Sequence, residues 1–340
     1  MTAVPRNQIL VGDAVTRLRE LPDASMDCAV TSPPYYALRD YEIDGQIGHE
    51  PTIHAWVEAV LAVTAELARI LKRTGSLWLN VADSYSRHRK DGAPPKAMLL
   101  GPERLLLGLD AQGWLVRSKV VWAKPHPMPD PAKDRLTGSW EPVYLLVRSR
   151  HYYFDLDAIR EPHKTPRRRP RSLRGPEARG PGRHIPRWAG PRAGDQSGLA
   201  RYKALGLPGH PWGKNPGDVW TIPQNSIRGI HHATFPAALI ERPILAGCPA
   251  QVCSRCGRPW LRPTVPIWST VPAEPQPACR CDQAPRPGVV VDPFLGSGTT
   301  ALTAQRLSRD WLGIELNPAF AAIAQQRLDQ ARQPQNADQA

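Results

Sequence analysis

Long apolar runs are missing from this 340-residue chain. No stretch approaches the ~20 residues that a membrane-spanning helix needs. The opening MTAVPRNQIL carries no signal-peptide apolar region, so the expectation is a cytoplasmic protein without membrane contact. Cysteine is scarce: Cys28 stands alone, and the other five of the six fall between Cys248 and Cys281. That pattern excludes a disulfide framework for a chain of this size. Acidic residues are also short, 31 Asp and Glu against 44 Lys and Arg, for a net charge of +13. Internal repeats are absent. Hydrophobic residues make up 41% of the chain, which suffices for a sizeable core in one or two domains.

The charge excess is local. Between Arg160 and Lys203 eleven Arg and two Lys stand against Glu161, Glu177 and Asp195, so one segment carries +10. A polyanion is the natural partner of such a segment. Its density of Pro and Gly leaves a solvated linker as the alternative.

Around it, strand and helix patterns alternate. QILVGD (8–13), SMDCAVT (25–31), LWLNV after a Thr74-Gly75 turn, WLVRSKVVWAKP (114–125), WEPVYLLVRS (140–149) and GVVVD (288–292) read as strands. Apolar positions at helical spacing over 54–72 (Trp56, Val57, Val60, Leu61, Leu67, Ile70, Leu71) predict a helix. Further helices are expected at 101–112, 233–247 and the C-terminal AFAAIAQQRLDQA. This alternation argues an α/β sheet with ligands at the carboxyl ends of its strands.

Two strand ends carry chemistry. The strand ending at Thr31 runs into Ser32-Pro33-Pro34-Tyr35. Consecutive prolines make a stiff extended turn that cannot continue a ladder, leaving carbonyls free to accept from something else. The strand VVVD enters PFLGSGTT, a glycine turn at a helix N-terminus. Asp292 there is placed to receive an ammonium group. Glu315 ends the next strand, twenty-three residues on, where an acid binds ribose hydroxyls. The spacing is not G-x-G-x-x-G and no phosphate-cradling Lys follows, so dinucleotides and triphosphates fit poorly. A ligand with an amino-acid end and a ribose fits, and S-adenosylmethionine is such a ligand.

TSPPY together with DPFLGSGTT resembles the DNA methyltransferases that modify exocyclic amino groups, N4 of cytosine or N6 of adenine. GDAVTRLRELPDASMDCAVTSPPYY, GSLWLNVADSY, SWEPVYLLVRS and ATFPAALIERPILAG look like further family blocks, so the resemblance spans nearly the whole chain. The PPY block precedes the glycine block, an order similar to the family's circularly permuted beta group. The resemblance implies a Rossmann-like S-adenosylmethionine-dependent methyltransferase sheet, with a target-recognition region between the two blocks. It implies catalytic roles for Ser32, Pro33, Pro34 and Tyr35. It implies cofactor contacts at Asp13, Thr31, Phe235, Pro236, Phe294, Gly296, Ser297, Gly298, Thr299 and Asn317, beside Asp292 and Glu315. Ser before P-P-Y follows the family's tendency for cytosine N4. N6-adenine methylation, RNA as substrate, and a DNA-binding protein with an inactive core are the alternatives.

An exocyclic base amine is a poor nucleophile because its lone pair is delocalised into the ring. Acceptors at Ser32 and the Pro33 carbonyl would pull it toward tetrahedral geometry, and Tyr35 would stack on a base swung out of the duplex. Ring-carbon methylation needs a cysteine nucleophile, which in that family follows a proline; no Pro-Cys pair occurs here.

The remaining segments divide accordingly. Catalytic and cofactor halves are expected at 1–160 and 288–332, target recognition at 161–218, a cofactor-pocket helix within 219–247, a metal-bearing insert at 248–287 and a disordered tail at 333–340. Arg167, Arg168, Arg169, Arg171 and Arg174 are the candidate double-stranded DNA contacts, Arg being suited to bidentate recognition of phosphate and guanine. Trp188, Tyr202 and Trp212 could stack on bases or pack. Cys253-x-x-Cys256 and Cys279-x-Cys281 resemble a four-thiolate zinc ribbon, with Cys248 as a spare. Such an insert is expected beside the DNA cleft or at an oligomer contact. Nucleoid association, a homodimer and a separate restriction endonuclease are the open partner questions.

Overall fold

The computed structural model describes residues 4–163, 210, 212–224, 234–263 and 273–332. The segment 164–209, with its five candidate arginines, Trp188 and Tyr202, lies outside the described residues, as does the tail 333–340.

In chain order the strands are β1 (Gln8–Val11), β2 (Met26–Thr31), β3 (Leu71–Asn80), β4 (Leu115–Ala123), β5 (Trp140–Val147), β6 (Val219–Thr221), β7 (Val252–Cys253), β8 (Trp260–Leu261), β9 (Gln276–Pro277), β10 (Pro285–Arg286), β11 (Val289–Asp292) and β12 (Asp310–Glu315). The helices are α1 (Ala14–Arg19), α2 (Ile53–Ile70), α3 (Gly101–Ala111), α4 (Ala237–Gly247), α5 (Thr299–Arg306) and α6 (Pro318–Arg332). Eight strands form one sheet in the order β1-β12-β11-β2-β3-β5-β4-β6. From β1 to β3 neighbouring strands are parallel; β5 is antiparallel to β3 and β4. Every residue of β2 and β11 is buried, as central parallel strands covered on both faces require.

The order of the strands places the ligand crevice. From β2 the chain crosses through α2 to β3 on one side; from β11 it crosses through α5 to β12 on the other. Strand order therefore reverses between β2 and β11, and the crevice outside their carboxyl ends is where such sheets bind ligands. TSPPY leaves one of these strands and DPFLGSGTT the other.

Helix α2 turns Ile53, Trp56, Val57, Val60, Val63, Leu67 and Ile70 into the core, and the Thr52 hydroxyl caps it by accepting from Ala55 N at 3.1 Å. Its end differs from the sequence expectation. The chain turns extended at Leu71 and enters β3 directly, so Thr74-Gly75 is strand rather than turn. A Cβ at Gly75 would stand 2.9 Å from the Asp27 carbonyl, beside the irregular pairing between Met26 and Cys28. Glycine there permits the close approach. Helix α4 starts at Ala237, four residues later than the apolar pattern suggests, with Pro236 as its N-cap. It packs onto the sheet through Gly247, where a Cβ would lie 2.7 Å from Ser76 Oγ and Trp78 Nε1.

The chain divides into two compact units, Met1–Asp155 with Gly217–Leu261 and Pro277–Ala340, and Leu156–Pro216 with Arg262–Gln276. In the second, Glu161 and Lys214 exchange backbone hydrogen bonds at 3.0 and 2.9 Å and pair through their side chains at 3.0 Å. Arg160 ties Asp157 at 2.6 Å. This clip joins the two ends of the arginine-bearing segment.

Candidate active site

Thr31 and Asp292, 261 positions apart, close the gap between the two motif strands. Thr31 Oγ1 donates to Asp292 Oδ1 at 2.6 Å, Thr300 Oγ1 to Oδ2 at 2.5 Å, and Phe294 N to Oδ1 at 3.0 Å. Asp292 is 1% exposed, and burial pushes its carboxyl above the usual range. These three bonds brace the glycine loop, and Thr31 locks that brace to β2. Asp292 itself is not among the residues that line the cleft beside it.

Beside the brace opens a cleft. Gly12, Asp13, Ser32, Pro34, Phe294, Gly296, Ser297, Glu315 and Asn317 line it. Glu315, at the end of β12, accepts from Gly296 N through Oε2 at 2.7 Å and from Asn317 N through Oε1 at 2.9 Å. A carboxylate has about four lone-pair sites, so acceptor capacity remains on the cleft side. Burial raises the Glu315 carboxyl above its ordinary value. Gly296 sits at φ +54°, and a Cβ there would meet no atom within 4 Å, because its bare side faces open space. Asp13 caps α1, its Oδ1 accepting from Thr16 N at 2.8 Å.

Phe235 and Pro236 do not line this cleft; their neighbour Thr234 does. Thr31, Gly298 and Thr299 are not among its lining residues either, the last standing at the start of α5. The sequence reading missed the loop 41–47, which supplies Tyr41, Ile43, Gly45, Gln46 and Ile47 to the lining. Tyr41 meets Phe320 of α6 edge to face at 6.1 Å. No periodicity marks this loop; the one available signal is its position directly after TSPPYY.

The proline turn is held from behind. Trp56 Nε1 of α2 donates to the Pro34 carbonyl at 2.9 Å, so that acceptor is committed to the fold. Among the described residues no donor reaches the Pro33 carbonyl. Ser32 Oγ lies 3.2 Å from Tyr35 Oη and 3.5 Å from Asn80 Oδ1. Tyr35 Oη in turn reaches Asn80 Oδ1 at 3.1 Å and Glu141 Oε2 at 3.0 Å. Asn80 Nδ2 donates to the same Glu141 oxygen at 3.1 Å and to the Pro142 carbonyl at 3.2 Å. Lys124 closes the chain on Glu141 Oε1. The Tyr35 ring is half-buried, and burial together with Glu141 pushes its phenol well above the ordinary value. Tyr36 is a core residue, 5% exposed.

The four cysteines predicted as ligands do converge. The sulfurs of Cys253, Cys256, Cys279 and Cys281 lie within 4.8 Å of one another. Gly257, at φ +69°, turns the chain behind Cys256 and returns its N–H to the Cys253 carbonyl at 2.9 Å. Cys248 is not part of the group; it is fully buried, and burial holds its thiol well above the ordinary value. Of the two places expected for the cluster, its position goes against the one beside the cleft and leaves the oligomer contact open. Lys72 Nζ donates to the Gly257 carbonyl at 3.0 Å and to Asp27 Oδ1 at 2.6 Å, and Asp27 Oδ2 accepts from Val289 N at 3.0 Å. Asp27, Lys72 and Val289 stand at the starts of β2, β3 and β11. The cysteines therefore dock on the amino edge of the sheet, opposite the cleft.

Comparison with known proteins gives a consistent result. Residues 26–326 match the N6/N4 family profile described as DNA methylase. The type II methyltransferase M.Cfr9I of Citrobacter freundii is 31% identical over 338 residues, covering 93% of this chain and 86% of that one. PvuII DNA methyltransferase, described as cytosine-N4-specific, superposes with a TM-score of 0.58 at 18% identity, covering 99% of this chain and 89% of its own. The putative DNA modification methylase TTHA0409 of Thermus thermophilus, solved in complex with S-adenosyl-L-methionine, does so with a TM-score of 0.51 at 20% identity, covering 95% of each.

Proposed function

Because the chain belongs to the N6/N4 DNA methylase family, we propose that it transfers a methyl group from S-adenosylmethionine to the exocyclic N4 of cytosine in duplex DNA. The observation that carries this reading is that Ser32 shares the wall of one cleft with Gly296 and Glu315. A base amine held by Ser32 then faces whatever Glu315 and the glycine loop hold.

The cleft fits the cofactor on its own chemistry: a bare glycine face for close approach and a buried carboxylate with spare acceptor capacity for ribose hydroxyls. When bound, S-adenosylmethionine supplies an electrophilic methyl group on sulfur. The protein's part is to prepare the nucleophile. Ser32 Oγ and the free Pro33 carbonyl accept the amine hydrogens, which draws the nitrogen lone pair out of the ring and fixes its direction. The Trp56 bond to Pro34 holds these acceptors in place before the base arrives. A base swung out of the duplex would stack on the half-buried Tyr35 ring, offsetting part of an unstacking cost of a few kcal/mol. Cytosine is favoured over adenine by Ser32 before the prolines and by the likeness to a cytosine-N4-specific enzyme.

A four-thiolate set with sulfurs within 4.8 Å of one another suits one tetrahedral zinc, whose ~2.3 Å bonds set sulfurs roughly 3.8 Å apart. Cys253, Cys256, Cys279 and Cys281 together would leave no open position on such an ion, so its role there would be structural. Arginines of the 160–203 segment serve the DNA backbone and guanine edges, and a separate restriction endonuclease is the expected companion of an enzyme similar to type II methyltransferases.

The test is transfer of labelled methyl from S-adenosylmethionine to mixed-sequence duplex DNA. Label should enter DNA with the native protein and drop at least about a hundredfold with Ser32→Ala, cofactor affinity being unchanged. Unimpaired transfer by that variant would remove Ser32 from the chemistry. No transfer by the native protein would remove the activity.

A further inference from the structure

The polar chain behind Ser32 has a direction. Asn80 Nδ2 is committed to Glu141 and to the Pro142 carbonyl, so Asn80 turns only its oxygen toward Tyr35. Glu141, paired with Lys124, also presents an acceptor to Tyr35. The Tyr35 proton therefore points inward, and its oxygen is left to accept from Ser32 at 3.2 Å. With its own proton directed into the protein, Ser32 presents lone pairs to the cleft.

Resting on the amino-methylation reading, we infer that Glu141 is the terminus of a proton relay, Ser32 to Tyr35 to Glu141, that accepts the hydrogen released by the target amine. As the nitrogen–methyl bond forms and the sulfur–methyl bond breaks, the nitrogen becomes a cationic aminium. One N–H bond then gives its electron pair back to nitrogen and its proton to Ser32 Oγ. The Ser32 proton passes to Tyr35 Oη and the Tyr35 proton to Glu141 Oε2, leaving a neutral carboxylic acid beside Lys124. The acid re-ionises to solvent after release. An N-protonated exocyclic amine is a strong acid, since losing the proton restores conjugation with the ring, so the concerted net transfer from nitrogen to the Glu141 carboxylate runs downhill. Ser32 is the relay's contact with the amine; the Tyr35 hydroxyl, as distinct from its stacking ring, and Glu141 act through Ser32 as positioning groups, with no part in holding the cofactor.

The experiment compares native protein, Tyr35→Phe, Glu141→Gln and the double variant in single-turnover methylation from a preformed complex. Each single variant should be slower by about a hundredfold, with affinities for cofactor and duplex within about twofold of native and melting temperatures preserved. The double variant should be no slower than the singles, because the two groups serve one chain. Native turnover should slow in heavy water, and Tyr35→Phe should lose that sensitivity. Single variants at native rate, losses that multiply in the double variant, or a heavy-water effect that survives Tyr35→Phe would each overturn the relay. If Glu141→Gln does not fold, Tyr35→Phe, which removes one oxygen, decides alone. A native protein that methylates no DNA base would instead sink the functional reading on which the relay rests.

Discussion

Trp56 and Asp292 show how single residues prepare this site without touching a substrate. Trp56 is 1% exposed, and its indole N–H is the donor for the Pro34 carbonyl. Trp56→Phe should keep most of the packing but orphan that carbonyl, at a cost of about 1–3 kcal/mol in urea unfolding. Methyl transfer should slow while cofactor affinity stays constant; unchanged turnover would mean that the proline turn needs no external brace. Asp292 makes a statement about pH. Its folded-state pKa is raised by burial, so the native protein binds that proton more tightly than the unfolded chain. Its contribution is fully present below the ordinary value of ~3.9 and is lost as pH rises through the raised folded value. Stability relative to Asp292→Asn, followed by denaturant titration, should therefore fall as pH climbs from about 4. A flat difference would contradict the assigned burial. The motif carrying Asp292 was plain in the sequence, but its job was not. Which way a carboxylate points depends on Thr31 and Thr300, and only the folded sheet brings Thr31 to it.

At the scale of elements, long periodic or continuously apolar segments were legible. β2 and β11 read as buried runs, and α2 shows its core face at helical spacing. Short pieces were not: α1 has six residues and β6 three, too few for any period to show. The α2–β3 junction was misplaced because Gly75 reads locally as a turn, whereas the cause of that glycine is the Asp27 carbonyl on the neighbouring strand. Helix α4 offers a sharper test. Gly247→Ala would drive a methyl group into Ser76 and Trp78, so α4 must lift from the sheet. The expected loss is about 1–3 kcal/mol in urea unfolding, and a neutral result would show that the helix can slide.

Across the whole molecule, the sheet separates two chemistries. Methyl transfer is proposed for the carboxyl edge, where β2, β11 and β12 end. The cysteine cluster belongs to the amino edge, tied there by Lys72 and Asp27. The sequence spacing of the cysteines foretold their meeting but not their place, because Lys72 and Gly257 lie 185 positions apart. Elemental analysis should find about one zinc per chain. Chelation should lower the melting temperature, while methyl transfer per folded molecule holds steady; loss of transfer without unfolding would contradict this separation. The measurement that goes most directly to the central claim is a nucleoside digest of mixed-sequence duplex DNA, read by mass spectrometry after incubation with isotopically labelled S-adenosylmethionine. The account predicts label in N4-methylcytosine. Label in N6-methyladenine or in the cytosine ring carbon would contradict it.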